Sequence, residues 1–133
     1  MRLAEFEGLW RIVREIEDLT GGPAGRLTGT ARFSPDGPGM VYDEAGVLRL
    51  GDGPAFHATR RYLWRETAEG IELRFADGRF FHRFARDAPE AEHPCGADLY
   101  RVRYDFARWP EWRSEWRVRG PRKDYVMRTR YSR

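Results

Sequence analysis

Three histidines and one cysteine are the residues of this 133-residue chain best suited to metal or nucleophilic chemistry, so their spacing comes first. His93-Pro94-Cys95 runs on to Asp98, and His82 lies one strand earlier. Together they offer donors for a metal ion. Zinc sites pair their ligands at short spacings such as Cys-x-x-Cys or His-x-x-x-His, and the chain has neither. The expectation is no metal, with His93-Pro94 shaping a loop and Cys95 a small buried residue. Cys95 with His82 or His93 as nucleophile and base needs a hydrogen-bond contact that spacing does not provide. A Gly-x-Ser-x-Gly elbow, a glycine-rich phosphate loop before a helix and a dinucleotide fingerprint are all missing. No cofactor is expected.

Polar residues set into apolar strand faces are the stronger signal. Asp98, Tyr100, Val102, Tyr104 and Phe106 alternate with Leu99, Arg101, Arg103 and Asp105. After Trp109-Pro110, Trp112, Ser114, Trp116 and Val118 alternate with Arg113, Glu115, Arg117 and Arg119. Strand side chains point to opposite faces with period two, so one face is wet and basic and the other aromatic. The same alternation puts Phe56, Ala58, Arg60, Tyr62 and Trp64 inside, and Phe80, His82 and Phe84 with them. An aromatic interior carrying Arg60, Tyr62, His82, Asp98, Tyr100, Tyr104, Ser114 and Trp116 suits a small-molecule pocket.

An unpaired buried charge costs several kcal/mol, so Arg60 must meet Asp98, tyrosine hydroxyls or an acidic ligand. The leading expectation is a lumen that binds a small, partly aromatic or acidic molecule. Arg60 anchors the anion, His82 and Tyr100 hydrogen-bond to it, and Tyr62 and Trp116 form apolar walls. No residue is given a catalytic role in this reading. One alternative is a cofactor-free barrel enzyme of isomerase or decarboxylase type using His82, Asp98 and Tyr100 as acid–base groups. Another is a filled-core interaction module plugged by an Arg60–Asp98 pair.

The elements that position these residues are strands. Helical periodicity with caps is almost absent, and glycine and proline punctuate the chain about every ten residues. Strands are expected over 10–16, 26–33, 40–42, 47–50, 55–66, 71–75, 79–86, 98–106, 112–119 and 124–131. Glu44-Ala45-Gly46 reads as a tight link, Asp77-Gly78 as a two-residue hairpin, and 87–96 as a loop. Leu27, Gly29, Ala31 and Phe33 share a face whose small members admit opposing side chains. The fold class is therefore all-β: a single domain over 1–133, an antiparallel up-and-down barrel of nine or ten strands. Gly120-Pro121 forces a turn that places Arg122, Lys123 and Asp124 at one rim and returns Tyr125 to the interior. There Arg122 or Lys123 draws an anion to the pocket mouth, unless a local Lys123–Asp124 pair worth under about 1 kcal/mol merely solvates the turn.

Composition excludes other classes. With 41% hydrophobic and 14% aromatic residues the chain is not disordered, and 34% charged residues imply a well-solvated surface. No apolar run approaches the roughly 20 residues of a membrane span. Met1–Glu7 lacks the apolar core of a signal peptide, and one cysteine suits a reducing compartment, so a cytoplasmic location is expected. The net charge of +3 raises a nucleic-acid reading. Lys123 is the only lysine, however, and the arginines alternate with acids rather than forming a stripe. Trp112 and Trp116 alternate inward as core, which leaves only Trp109 in a turn. The expected partner is a small molecule, with no nucleic acid and no membrane; a homodimer stays open.

Gly8-Leu9-Trp10 opening the first strand is similar to the Gly-x-Trp of lipocalins, members of the calycin superfamily. That resemblance implies that Trp10 closes the barrel floor against an arginine of the last strand, a role for Arg128 or Arg130. The closing Arg128-Thr129-Arg130-Tyr131 resembles the Arg-x-Tyr with which intracellular fatty-acid-binding barrels hold a carboxylate. Those proteins insert two helices after their first strand, and Leu19–Gly25 has no room for them. Over nearly its whole length the chain resembles a family of small bacterial proteins, domain of unknown function 6314. Phe6-Glu7-Gly8-Leu9-Trp10, Asp77-Gly78-Arg79-Phe80-Phe81-His82, His93 to Tyr100 and Gly120 to Tyr125 carry that resemblance, which implies no activity.

Overall fold

Alternation over almost the whole chain leaves a sheet as the way to satisfy the backbone's hydrogen bonds. The computed structural model describes residues 1–133. Its strands are β1 (Gly8–Asp18), β2 (Gly25–Asp36), β3 (Gly39–Leu50), β4 (Ala55–Thr67), β5 (Gly70–Phe75), β6 (Phe80–Phe84), β7 (Glu90–Cys95), β8 (Asp98–Asp105), β9 (Trp112–Arg119) and β10 (Asp124–Ser132). All belong to one ten-stranded antiparallel sheet in the order β6-β5-β4-β3-β2-β1-β10-β9-β8-β7. Every neighbour is a chain neighbour except β1 and β10, which zip from Arg11–Ser132 to Asp18–Tyr125. The result is an up-and-down barrel, nearly closed. Its one seam lies between β6 and β7, where a single Ala85–Ala88 bridge replaces a ladder.

Two segments depart from the sequence reading. The expected link at Glu44-Ala45-Gly46 is the middle of a continuous β3, paired in register to both β2 and β4. Gly29 and Gly46 face each other there, and a Cβ on Gly29 would collide with the Ala45 carbonyl. Glycine here marks a close strand approach rather than a turn. The expected loop over 87–96 contains β7, whose Glu90 and Glu92 pair across the ladder with Arg103 and Arg101. His93-Pro94 thus lies in an edge strand, and Cys95 is exposed rather than buried.

The floor is aromatic. A 3-10 turn, Leu3–Phe6, tucks Phe6 beneath the barrel, with ring centroids 5.0–6.1 Å from Phe33, Trp64, Phe106, Trp109 and Trp112. The Trp10 indole donates to the Phe6 carbonyl at 2.8 Å. Each fully buried ring adds roughly 1.5–3 kcal/mol of apolar burial. Arg133 stacks 4.0 Å over Trp10 and donates to the carbonyls of Glu5 and Glu7. The floor-closing arginine is therefore Arg133. Arg128 and Arg130 fall on the outer face, where their carboxylate partners lie.

Candidate functional site

Above the floor the lumen turns polar. On β1 the inward row is Trp10, Ile12, Arg14 and Ile16; on β3 it is Met40, Tyr42, Glu44 and Gly46. Each row carries one charge, and the two meet. Arg14 donates to both Glu44 oxygens, at 2.9 and 2.6 Å, and through Nε to Thr129 Oγ1 at 2.7 Å. The Tyr42 hydroxyl donates to Glu44, and since that uses its only proton, Tyr131 donates in turn to Tyr42 at 2.8 Å. Burial opposes the charge on Arg14, but the bidentate Glu44 contact outweighs it and its pKa is raised. Burial pushes Glu44 up, yet the hydrogen bonds and charge of Arg14 hold it below the ordinary carboxylate range. Burial drives Tyr42 well up and Tyr131 to about 12, so both stay protonated donors.

This chain occupies the lumen. The space left beside it, walled by Tyr42, Glu44, Tyr62, Trp64, Tyr104 and Trp116 among others, is about 10 Å³, the size of a single water site. The carboxylate held between arginine and tyrosine hydroxyls inside this barrel is the chain's own Glu44. Thr129 and Tyr131 face it from the last strand, whereas the flanking Arg128 and Arg130 do not.

The sequence-expected residues divide between this interior and the rim. Tyr62, His82 and Tyr104 are buried, and Trp116 and Tyr100 are half-buried. His82 reaches the interior through a bulge: the β5–β6 register shifts at Leu73/Arg74, so consecutive Phe81 and His82 both point in. Phe80, expected inside, is consequently 46% exposed. His82 Nε2 meets the Tyr104 hydroxyl at 2.8 Å, while Nδ1 has no partner. Burial lowers the His82 pKa to about 3, with proximity to His93 as a smaller cause, so the ring is neutral near pH 7.

The acid–base trio His82, Asp98 and Tyr100 does not share partners. Asp98 is bound by Lys123 at 2.8 Å on the rim, Tyr100 packs against Phe81 and His93, and His82 turns to Tyr104. The Lys123–Asp98 pair displaces both expected ion pairs, Arg60–Asp98 and Lys123–Asp124; Asp124 pairs instead with Arg117. Arg122 is exposed and Tyr125 half-buried at the same rim. Arg60 lies on the inward row of β4 but beyond the packed interior, exposed, with its guanidinium 5.7 Å over the Trp116 ring. It forms no ion pair; Glu44, opposite it in register, is already held by Arg14. Arg101, Arg103 and Arg113 are exposed, as expected, and Arg117 is half-buried.

Arg14 and Glu44 escaped the sequence reading. The signal was present as one opposite charge in each of two otherwise apolar inward rows. Reading Glu44 as a turn hid it. No group of histidine, cysteine and carboxylate side chains is arranged to hold a metal. No helix is long and apolar enough to cross a membrane. No curated protein matches the chain. The model of a family described as Family of unknown function (DUF6314) matches residues 6–133, almost the whole barrel, and the chain belongs to that family.

Proposed function

We propose that the barrel binds a small anionic molecule with a flat apolar part, seated at its mouth on Trp116 rather than deep in the lumen. Arg60 carries this reading. It is an inward-row guanidinium with no carboxylate partner, poised over an indole face. Such a pair offers a carboxylate the planar donor fork of arginine and offers a ring a stacking surface. Phe56, 52% exposed, and Leu50, 43% exposed, extend the inner rows of β4 and β3 as an apolar lip. Lys123, across the rim, adds a second cation near the opening.

Calorimetric titration with 2-naphthoate tests this. Binding is expected in the wild type and weakens about tenfold or more in Arg60→Gln, the loss of one charge-assisted hydrogen bond. Trp116→Leu weakens it as well, and neutral 2-naphthamide binds less tightly than the acid. Absence of heat with naphthoate, or equal affinity in Arg60→Gln, overturns the reading. The packed lumen, with about 10 Å³ free, supports a second reading as a filled-core interaction module, which those negative results favour.

A further inference from the structure

One concavity of the molecule lies outside the barrel, on the face opposite the lumen. It is a half-open groove of about 510 Å³ crossing β2, β1, β10, β9 and β8. Five arginines line it, Arg26, Arg103, Arg113, Arg128 and Arg130, against three carboxylates, Glu15, Asp105 and Glu115. Most of these charges are spoken for. Arg26 binds Glu15 at 2.8 Å, Arg128 binds Glu115 at 3.1 Å, and Arg103 reaches out to Glu90 at 2.9 Å. Asp105 turns away to accept from the Ala107 amide at 2.9 Å.

One pair is held less tightly. Arg113 on β9 stands directly opposite Arg130 on β10, with Asp105 of β8 in register on its other side. Like charges facing each other across a ladder are destabilising unless something lies between them. Elsewhere on the sheet that condition is met from within the chain. Arg101 faces Arg117, but Glu92 and Asp124 hold them; Arg26 faces Arg49, but Glu15 holds one and the Gly53 carbonyl the other. Arg113 forms no ion pair at all, and the Arg130 contact to Glu111, at 3.6 Å, is the longest in the molecule.

We propose that the Arg113–Arg130 end of this groove is a binding site for a dianionic phosphomonoester, its phosphoryl oxygens bridging the two guanidiniums. Two forks match two negative charges and accept bidentate hydrogen bonds from planar donors. The groove has the volume of a small-molecule site, so the organic part of the ester lies along it above Val13. A nucleic-acid backbone fits less well. It needs a line of free cations, whereas Glu15 and Glu115 face the rest of the groove.

The test is an NMR titration of the whole chain with phenyl phosphate, run beside inorganic phosphate and a short single-stranded oligonucleotide. Phenyl phosphate shifts the amides of Val13, Arg113 and Arg130 and raises the melting temperature. Arg113→Gln and Arg130→Gln each weaken it about tenfold or more. Arg65→Gln, another unpaired exposed arginine, leaves it unchanged. Equal affinity in the Arg113→Gln/Arg130→Gln double variant overturns the proposal, and so does equal loss in Arg65→Gln. A response to the oligonucleotide with none to phenyl phosphate overturns it in favour of a polymer-binding face.

Discussion

Glu44 is the residue on which the interior turns. Its carboxylate accepts two hydrogen bonds from Arg14 and one from Tyr42, all out of contact with solvent. A buried pair of this kind adds little net stability against an apolar replacement, but removing one partner strands the other charge at a cost of about 3–5 kcal/mol. Glu44→Ala therefore unfolds at markedly lower urea. Because it leaves a carboxylate-sized gap beside an oriented guanidinium, acetate restores part of the loss while chloride at equal ionic strength does not. Identical effects of the two salts would show that the gap collapses. His82 gives the complementary case. Its native pKa of about 3 lies below the ordinary 6.5 because burial disfavours the imidazolium. Between those values the unfolded chain binds the extra proton, so stability is full above pH 6.5 and falls as the pH drops towards 3. The loss amounts to several kcal/mol. His82→Phe flattens the stability profile between pH 6.5 and the carboxylate range, as urea titrations at stepped pH would reveal. Neither role was legible in the sequence, since alternation gives a face, not the atom met there.

Strand existence, by contrast, was written plainly wherever alternation was clean. β8 and β9 are where the Tyr100–Phe106 and Trp112–Val118 patterns put them, and Asp77-Gly78 does turn β5 into β6. The two failures have physical causes. In β3, glycine and alanine at a close approach of two strands mimic a turn. In β7, an exposed edge strand has little apolar alternation to show, and its signal was electrostatic: Glu90-x-Glu92 spaced to meet Arg101-x-Arg103. The bulge at Phe81-His82 reverses one strand's facing without any local mark in composition. Those two short strands flank the open seam, where backbone groups on the facing edges lack a ladder. Amides on the seam-facing edges of β6 and β7 are expected to exchange hydrogen faster than those of the β1–β10 ladder. Exchange on β6 as slow as on β1 would mean the seam is zipped in solution.

At the scale of the whole molecule, the inside is mostly neutralised by its own groups and the unbalanced charge lies at the surface. Arg60 at the mouth and Arg113 in the outer groove are two of the arginines the fold leaves without an ion pair, on opposite sides of one sheet. Composition showed an arginine-rich chain with net charge +3; which arginines are spare depends on cross-strand register, and register emerges only when all ten strands are in place. The seam has a consequence of its own. Read from β7, through the β10–β1 ladder, to β6, the strand order is the chain order rotated. Arg133 already touches the carbonyls of Glu5 and Glu7, so the two ends of the chain are neighbours. Joining Arg133 to Met1 through a short linker and opening the chain between Ala85 and Ala88 would give a polypeptide whose strands are laid down one beside the next from first to last. Its cut would fall at the one place where the sheet is not stitched.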